Sequence, residues 1–428
     1  MVQPSLYPQN AGLPRIFKLA MFAMALVYLA GCFTPLHIHF DSIRYYNIKD
    51  CIEYGCTPGS FADTDFLPYG YTGLLIGLSK LGILNAFMIT FVNCLYVFGG
   101  LFFVYQIFKG QIHPFVFAVL ALFNWTMIKF VTHPLSEMQY IFFSCLSLYC
   151  FHLFTKQHRF LHLALAFVFC IVTILTRTVG ISLLPALVLG VIWQYRDRLK
   201  HVYEKHKLLV LVAAVAGIAL LVLSASRLKI TDYTKSLNDH FEKGSGNFFI
   251  ENFKEHFSEL TEVFLNMPSS KLMGYLPGSI GKGLFVALGI VFFGWLLYNT
   301  LSKRSRLPLY IRLYLLFYFV IIMNWPYYDP RFWVPILPLM VVAVLQTPFN
   351  SRPWLKGVSR LYLAFYLALG VFAAGYSLYV GLDKERFAQK QANGVYRNEY
   401  ETKFFGKPQS DTATHVDAGV LNILKRYD

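Results

Sequence analysis

Asp41 opens a polar stretch, Asp41-Ser42-Ile43-Arg44-Tyr45-Tyr46, directly after the first apolar segment, at about residues 16–36. Acids are otherwise kept away from the apolar segments of this chain. A carboxylate here is a candidate general base, the group that takes a proton from a weak nucleophile. Three apolar hairpins further along turn at cationic tips: Lys129 with His133, Arg177, and Arg331. Arg offers an anion a bidentate fork and Lys a point charge, and a phosphate would suit both. Glu137 and Asp329 lie beside two of these tips, where they either orient a bound molecule or neutralise the cations. Aromatics crowd the same level, among them Tyr45, Tyr69, Tyr328 and Trp333. They read either as an interfacial belt or as a platform for a sugar ring or an isoprenoid chain.

The elements that must carry these groups follow from composition. The 428 residues are 56% hydrophobic and only 14% charged, against about 25% charged in soluble domains. That composition points to an all-α polytopic membrane protein. The start of the chain lacks the pattern of a removable signal peptide, so the first segment is expected to stay as a helix. The net charge of +15 does not point to nucleic acid, because of where it lies. Clusters at 15–18, 109, 156–159, 196–207, 303–312 and 352–360 hold 17 Lys and Arg against two acids. The remainder is balanced. Excess charge confined to short connections is the positive-inside pattern and places them in the cytoplasm.

A spanning helix needs about 20 apolar residues. The stretches 111–155, 162–193 and 308–349 are too long for one span and have basic flanks. Each is expected to be a hairpin, with tips at 129–134, 176–178 and 324–331. Single spans at about 16–36, 84–107, 208–226, 283–301 and 360–380 bring the expectation to about eleven helices. The N-terminus is then cytoplasmic. Residues 1–380 form the transmembrane module, with outer loops 37–83 and 227–282 and an outer tail at 381–428. The piece 69–83 is apolar but short, so it is re-entrant or interfacial. Phe253, Phe257, Leu260 and Phe264 have helical spacing and suggest an amphipathic helix that lies on the membrane or caps a cavity. The tail is too short to promise a folded domain. Of seven cysteines only Cys51 and Cys56 fall in an outer loop, where they are either a disulfide or two thiols. No cysteine or histidine spacing suggests a structural metal.

Four local patterns resemble the GT-C fold glycosyltransferases, in the branch of the protein O-mannosyltransferases and the lipid A aminoarabinose transferase. They are Asp41-Ser42-Ile43-Arg44-Tyr45-Tyr46-Asn47-Ile48 followed by Gly55, Thr132-His133-Pro134-Leu135, Thr176-Arg177-Thr178, and Asp329-Pro330-Arg331-Phe332 with Pro335 and Pro338. Together they span most of residues 16–345. Ser42, His133 and the Asp65-Phe66-Leu67-Pro68 stretch depart from the pattern, where relatives often carry an acid, an acid and a lysine.

The resemblance implies a GT-C-like bundle with outer-face loop helices and a sugar donor on a polyprenyl phosphate. It implies a single inverting displacement by a hydroxyl of a glycan, lipid or protein acceptor. Asp41 is then the base, itself also a candidate N-cap of a loop helix at 42–54. Arg331 and Arg177 hold the leaving phosphate, with Lys129 and His133 behind them and Glu137, Asp329, Tyr45, Tyr69 and Tyr328 lining the site. No cofactor is expected, and a divalent metal stays open. The expected setting is a bacterial inner membrane, with site and C-terminus periplasmic and membrane lipids as partners. A lipid-linked sugar flippase would carry charges within spans and repeat symmetry. An O-antigen-type polymerase would carry Arg-rich outer loops, and residues 227–282 hold one Arg.

Overall fold

The computed structural model describes residues 15–197, 235, 238–239, 242, 248–273, 278–303, 305–346, 353–409 and 415–428. All regular structure among them is helical. Four helices are long and apolar enough to cross a membrane. They are α5 (Ala86–Ile107), α8 (Glu137–Gln157), α13 (Gly278–Leu301) and α16 (Pro353–Gly381). A fifth candidate is broken: α6 (Pro114–Leu122) and α7 (Trp125–Val131) meet at 64°. Asn124 makes the break, accepting from Thr126 N–H as the N-cap of α7 and donating to the Val263 carbonyl.

Shorter apolar helices complete the bundle: α1 (Arg15–Gly31), α9 (Phe160–Thr176), α10 (Leu183–Gln194), α14 (Leu309–Met323) and α15 (Leu337–Leu345). Short 3-10 segments, Thr178–Ser182 and Pro330–Ile336, lead into α10 and α15. The hairpin tips thus fall at Arg177 and at residues 324–331, as the apolar lengths anticipate. Among the described residues, four helices, or five with the bent pair, meet the length and composition of a span, against the eleven expected for the whole chain. The expected span 208–226 lies outside the described residues. The bundle is cored by apolar side chains of α5, α8, α9, α10, α14 and α15.

The remaining elements form an outer layer. α2 (Phe40–Tyr54), α3 (Phe61–Thr64) and α4 (Tyr69–Lys80) occupy the first loop. The piece expected to be re-entrant or interfacial is α4. It touches the end of α9 so closely that a Cβ on Gly70 would lie 2.6 Å from the Leu175 carbonyl oxygen. Cys51, in the last turn of α2, and Cys56, just beyond its C-cap Gly55, are joined as a disulfide. In the second loop α11 (Phe248–Leu265) precedes α12 (Ser269–Met273).

The tail does fold, though not as a unit of its own. α17 (Lys384–Lys390), α18 (Arg397–Phe405) and α19 (Ala418–Tyr427) share a core with the first loop. Phe387, Tyr400, Leu424 and Tyr427 pack there with Leu36, Ile38, Tyr46 and Tyr71. The backbone of residues 36–38 is held by the tail. Asp428 Oδ1 accepts from Leu36 N–H, the Tyr400 hydroxyl accepts from Ile38 N–H at 3.0 Å, and Gln391 Nε2 donates to the Ile38 carbonyl at 2.9 Å.

Candidate functional site

The site starts at the N-terminus of α2. His39, in extended backbone, is the N-cap: its Nδ1 accepts from Asp41 N–H, and the Ser42 hydroxyl accepts from His39 N–H. This reciprocal capping box satisfies donors that the first helical turn would leave open. Asp41 is therefore not the N-cap the sequence suggested. It stands second in the helix, within the first turn, with its carboxylate free for side-chain partners. Ser42 is the other half of the cap.

Two guanidinium groups take that carboxylate. Arg44 Nη1 donates to Asp41 Oδ1 at 3.0 Å, and Arg331 Nη2 contacts Oδ2. Arg44 is fixed in turn by Asp65, through Nε at 2.8 Å and Nη2 at 2.6 Å. Burial pushes the Asp41 carboxyl up, but the charges of Arg331 and Arg44 and the hydrogen bond from Arg331 outweigh it. The net result lies well below the usual carboxylate range.

Prolines aim Arg331. Pro330 opens the 3-10 segment, Pro335 lies inside it and Pro338 sits in the first turn of α15. Their missing N–H groups stop α14 from running straight into α15. Asp329 caps the segment by accepting from Arg331 N–H at 2.9 Å. The Arg331 guanidinium then lies 3.4 Å from Asp329, 3.8 Å from Glu137 and 3.5 Å from His39 Nδ1. Burial pushes the Asp329 carboxyl up, but a hydrogen bond from His39 and the charge of Arg331 leave it lowered on balance.

Arg177 closes the far side. It follows the last residue of α9 in extended backbone and contacts Glu137. Glu137 is fully buried in the first turn of α8, where the helix dipole favours a carboxylate. The Ser136 hydroxyl accepts from Tyr45 at 2.9 Å and faces Arg177 Nη1 at 3.4 Å. The Phe332 ring lies between the arginines, 5.8 Å from Arg177 and 5.1 Å from Arg331. The carboxylates of Asp41, Glu137 and Asp329, the guanidinium groups of Arg44, Arg177 and Arg331, and Tyr45 thus meet where α2, α8, α9 and the 3-10 segment converge.

No family model, curated protein or solved structure matches the chain. The site therefore has to be read from its own geometry. Of the residues singled out in the sequence, Asp41, Arg331, Arg177, Glu137, Asp329 and Tyr45 come together. His133 is buried beside them, its Nδ1 2.8 Å from the Lys129 carbonyl and its ring 5.1 Å from that of His37. It reaches the cluster only by way of His39, at 6.4 Å between ring centres. Lys129 is exposed, with its ammonium over the Phe130 ring at 4.9 Å. It makes no ion pair among the described residues. Tyr69 opens α4, and Tyr328 lies against the His256 ring at 5.5 Å; both are about half exposed.

His39, Arg44, Asp65, Ser136 and Phe332 escaped the sequence reading. His39 and Ser42 straddling the start of α2 carried a capping signal that the search for carboxylates passed over. Cys51, Cys56 and Asp63 are grouped closely enough for a metal, but both sulfurs are committed to the disulfide.

Proposed function

We propose that this protein is an integral-membrane glycosyltransferase. On this reading it moves a sugar from a polyprenyl-phosphate donor to an acceptor hydroxyl at the outer membrane face, with inversion. The single observation that carries the proposal is the direct pairing of Asp41 with Arg331, in a buried cluster that also holds Arg177 and Glu137. A transferase of this kind needs one carboxylate to accept a proton and fixed cations to receive the charge of a leaving phosphate. Both sets are present within one cluster.

The same pairing orders the steps. While Arg331 and Arg44 hold Asp41, its carboxylate is a weak base. A phosphate entering beside Arg331 and Arg177 competes with Asp41 and Glu137 for the same donors. When Arg331 turns to the phosphate, Asp41 loses its strongest partner and gains basicity. The acceptor hydroxyl then gives its proton to Asp41 as its oxygen bonds to the anomeric carbon. The bond from that carbon to the lipid phosphate breaks, and the new negative charge falls on Arg331 and Arg177. Donor binding thus switches on the base.

The test is to incubate purified protein with polyprenyl-phosphate sugars and measure release of the lipid phosphate. Release that depends on Asp41 and Arg331 supports the reading. No release from any donor of this class, by protein shown to be folded, overturns it.

A further inference from the structure

The helix α11 approaches the Arg331 loop with polar residues. Asn252, His256 and Glu259 are spaced four and three apart, so they form one stripe along the helix. All three are buried. Asn252 Nδ2 donates to the Met323 carbonyl at 2.7 Å. His256 Nε2 lies 2.7 Å from the Trp325 carbonyl, and Glu259 Oε2 accepts from Trp333 Nε1–H at 3.3 Å. These three attachments bracket residues 324–332, the loop that presents Asp329 and Arg331.

A count of hydrogens constrains the middle attachment. The Trp325 carbonyl can only accept, so His256 Nε2 must carry a hydrogen. The other ring nitrogen, Nδ1, meets Glu259 Oε2 at 2.9 Å. A neutral ring protonated at Nε2 has a lone pair at Nδ1, and a carboxylate oxygen has only lone pairs. A contact of that length between buried atoms therefore needs one proton, on the ring or on the carboxyl. In both cases the pair is neutral overall. Without the proton, two lone pairs face each other where water cannot screen them.

We propose that His256 and Glu259 form a one-proton clasp that positions the Arg331 loop and releases it when the proton is lost. The bearing of this on sugar transfer rests on the function proposed above; the clasp itself does not. His256 and Glu259 are positioning residues, since neither touches Asp41, Arg331 or Arg177.

The surroundings favour keeping the proton. Asp329 acts on Glu259 from the loop, and Tyr328 lies against the His256 ring. Lys282 of α13 is taken by Glu255, one turn back on α11. Glu262, one turn on, accepts from Ser269 N–H at 2.9 Å. Burial pushes the Glu259 carboxyl up to about 7, with His256 pulling it down and Asp329 pushing further up. The clasp is therefore closed at acidic pH and opens as pH rises through neutrality, the sign set by a carboxyl whose proton is held more tightly folded than unfolded.

Hydrogen–deuterium exchange on the purified full-length protein in lipid nanodiscs tests this, following peptides that cover residues 320–335. In the wild type, protection corrected for intrinsic rates should be constant at low pH. Above the titration it should fall roughly tenfold per pH unit, the slope of a single proton. Glu259→Gln can donate its amide hydrogen to Nδ1 of the neutral ring but then cannot accept from Trp333, so its protection should be lower than that of the wild type at acidic pH and flat with pH. Glu259→Ala should be unprotected at every pH, while peptides from α5 and α8 keep wild-type protection and report an intact fold. A flat wild-type profile, or the same pH dependence in Glu259→Gln, overturns the clasp. Protection that titrates as expected in a protein that transfers no sugar would uphold the clasp and overturn the proposed reaction.

Discussion

The two ends of α2 carry two charge networks, and they are finished to different degrees. At the C-terminal end, Lys49 is buried and spends its three ammonium hydrogens on three acceptors: Asp50 at 2.8 Å, Glu53 at 2.6 Å and the Tyr427 hydroxyl at 2.8 Å. Glu53 accepts further from Ser79, and Asp50 from Tyr427. At the N-terminal end the account stays open. Neither oxygen of buried Glu137 accepts an aligned hydrogen bond, nor does Arg331 Nε donate one, among the described residues. Buried polar groups are nearly always satisfied. The contrast separates a network that fastens the tail with every donor placed from one whose buried polar atoms are not all hydrogen-bonded. Charge and burial are similar at both ends; unfilled hydrogen-bonding capacity distinguishes them.

Substitutions at the two ends sharpen this contrast. The largest effect is expected from Asp41→Asn, which should lower transfer by about 10²–10⁴ and leave the amount of folded protein in membranes unchanged. Wild-type release of lipid phosphate by that variant would remove Asp41 as the base. The same variant should flatten the acid limb of stability. A carboxylate whose proton affinity is lowered by folding contributes fully above its unfolded value, near pH 4, and loses that contribution as pH falls. Melting temperatures measured on both proteins between about pH 3 and pH 7 check the sign.

Arg331→Lys keeps the charge but loses the fork, and transfer should drop by roughly 10². Equal turnover would show that a point charge suffices. At the other end, Lys49→Met leaves Glu53 buried without its cation. It should cost about 2–3 kcal/mol, a value tempered by the partial exposure of Asp50. Turnover per folded molecule should be retained, and a fall in turnover that outruns the loss of melting temperature would erase the distinction between the networks. Smallest is Tyr400→Phe, which removes the hydroxyl that Ile38 N–H donates to. About 1 kcal/mol should be lost from thermal stability, with the affinity for donor unchanged.

Much of this was legible in the sequence, for physical reasons. Apolar length marked where several of the helices run and turn, because a spanning helix needs an unbroken apolar stretch. Arg177 and Arg331 were found because a chain break brings polar residues to a helix end. The α11 stripe was not found. Phe253, Phe257, Leu260 and Phe264 gave the helix its apolar face, whereas Asn252, His256 and Glu259 are buried on another. A helix covered on two sides carries no periodicity that separates core from solvent. Lys49 carries no sign of burial in the sequence, since one of its acceptors, Tyr427, lies 378 positions away. The tail looked too short to fold because its core is supplied by a different loop.

That last arrangement has a consequence in time. Ile38 leaves the ribosome 362 residues before Tyr400, the residue that holds its N–H. At the usual rates of synthesis the interval is tens of seconds. During it Asp41 exists, and so in due course do Arg177 and Arg331, but the backbone that leads into α2 has no anchor. The corner around Asp41 is thus completed late, after the bundle that surrounds it.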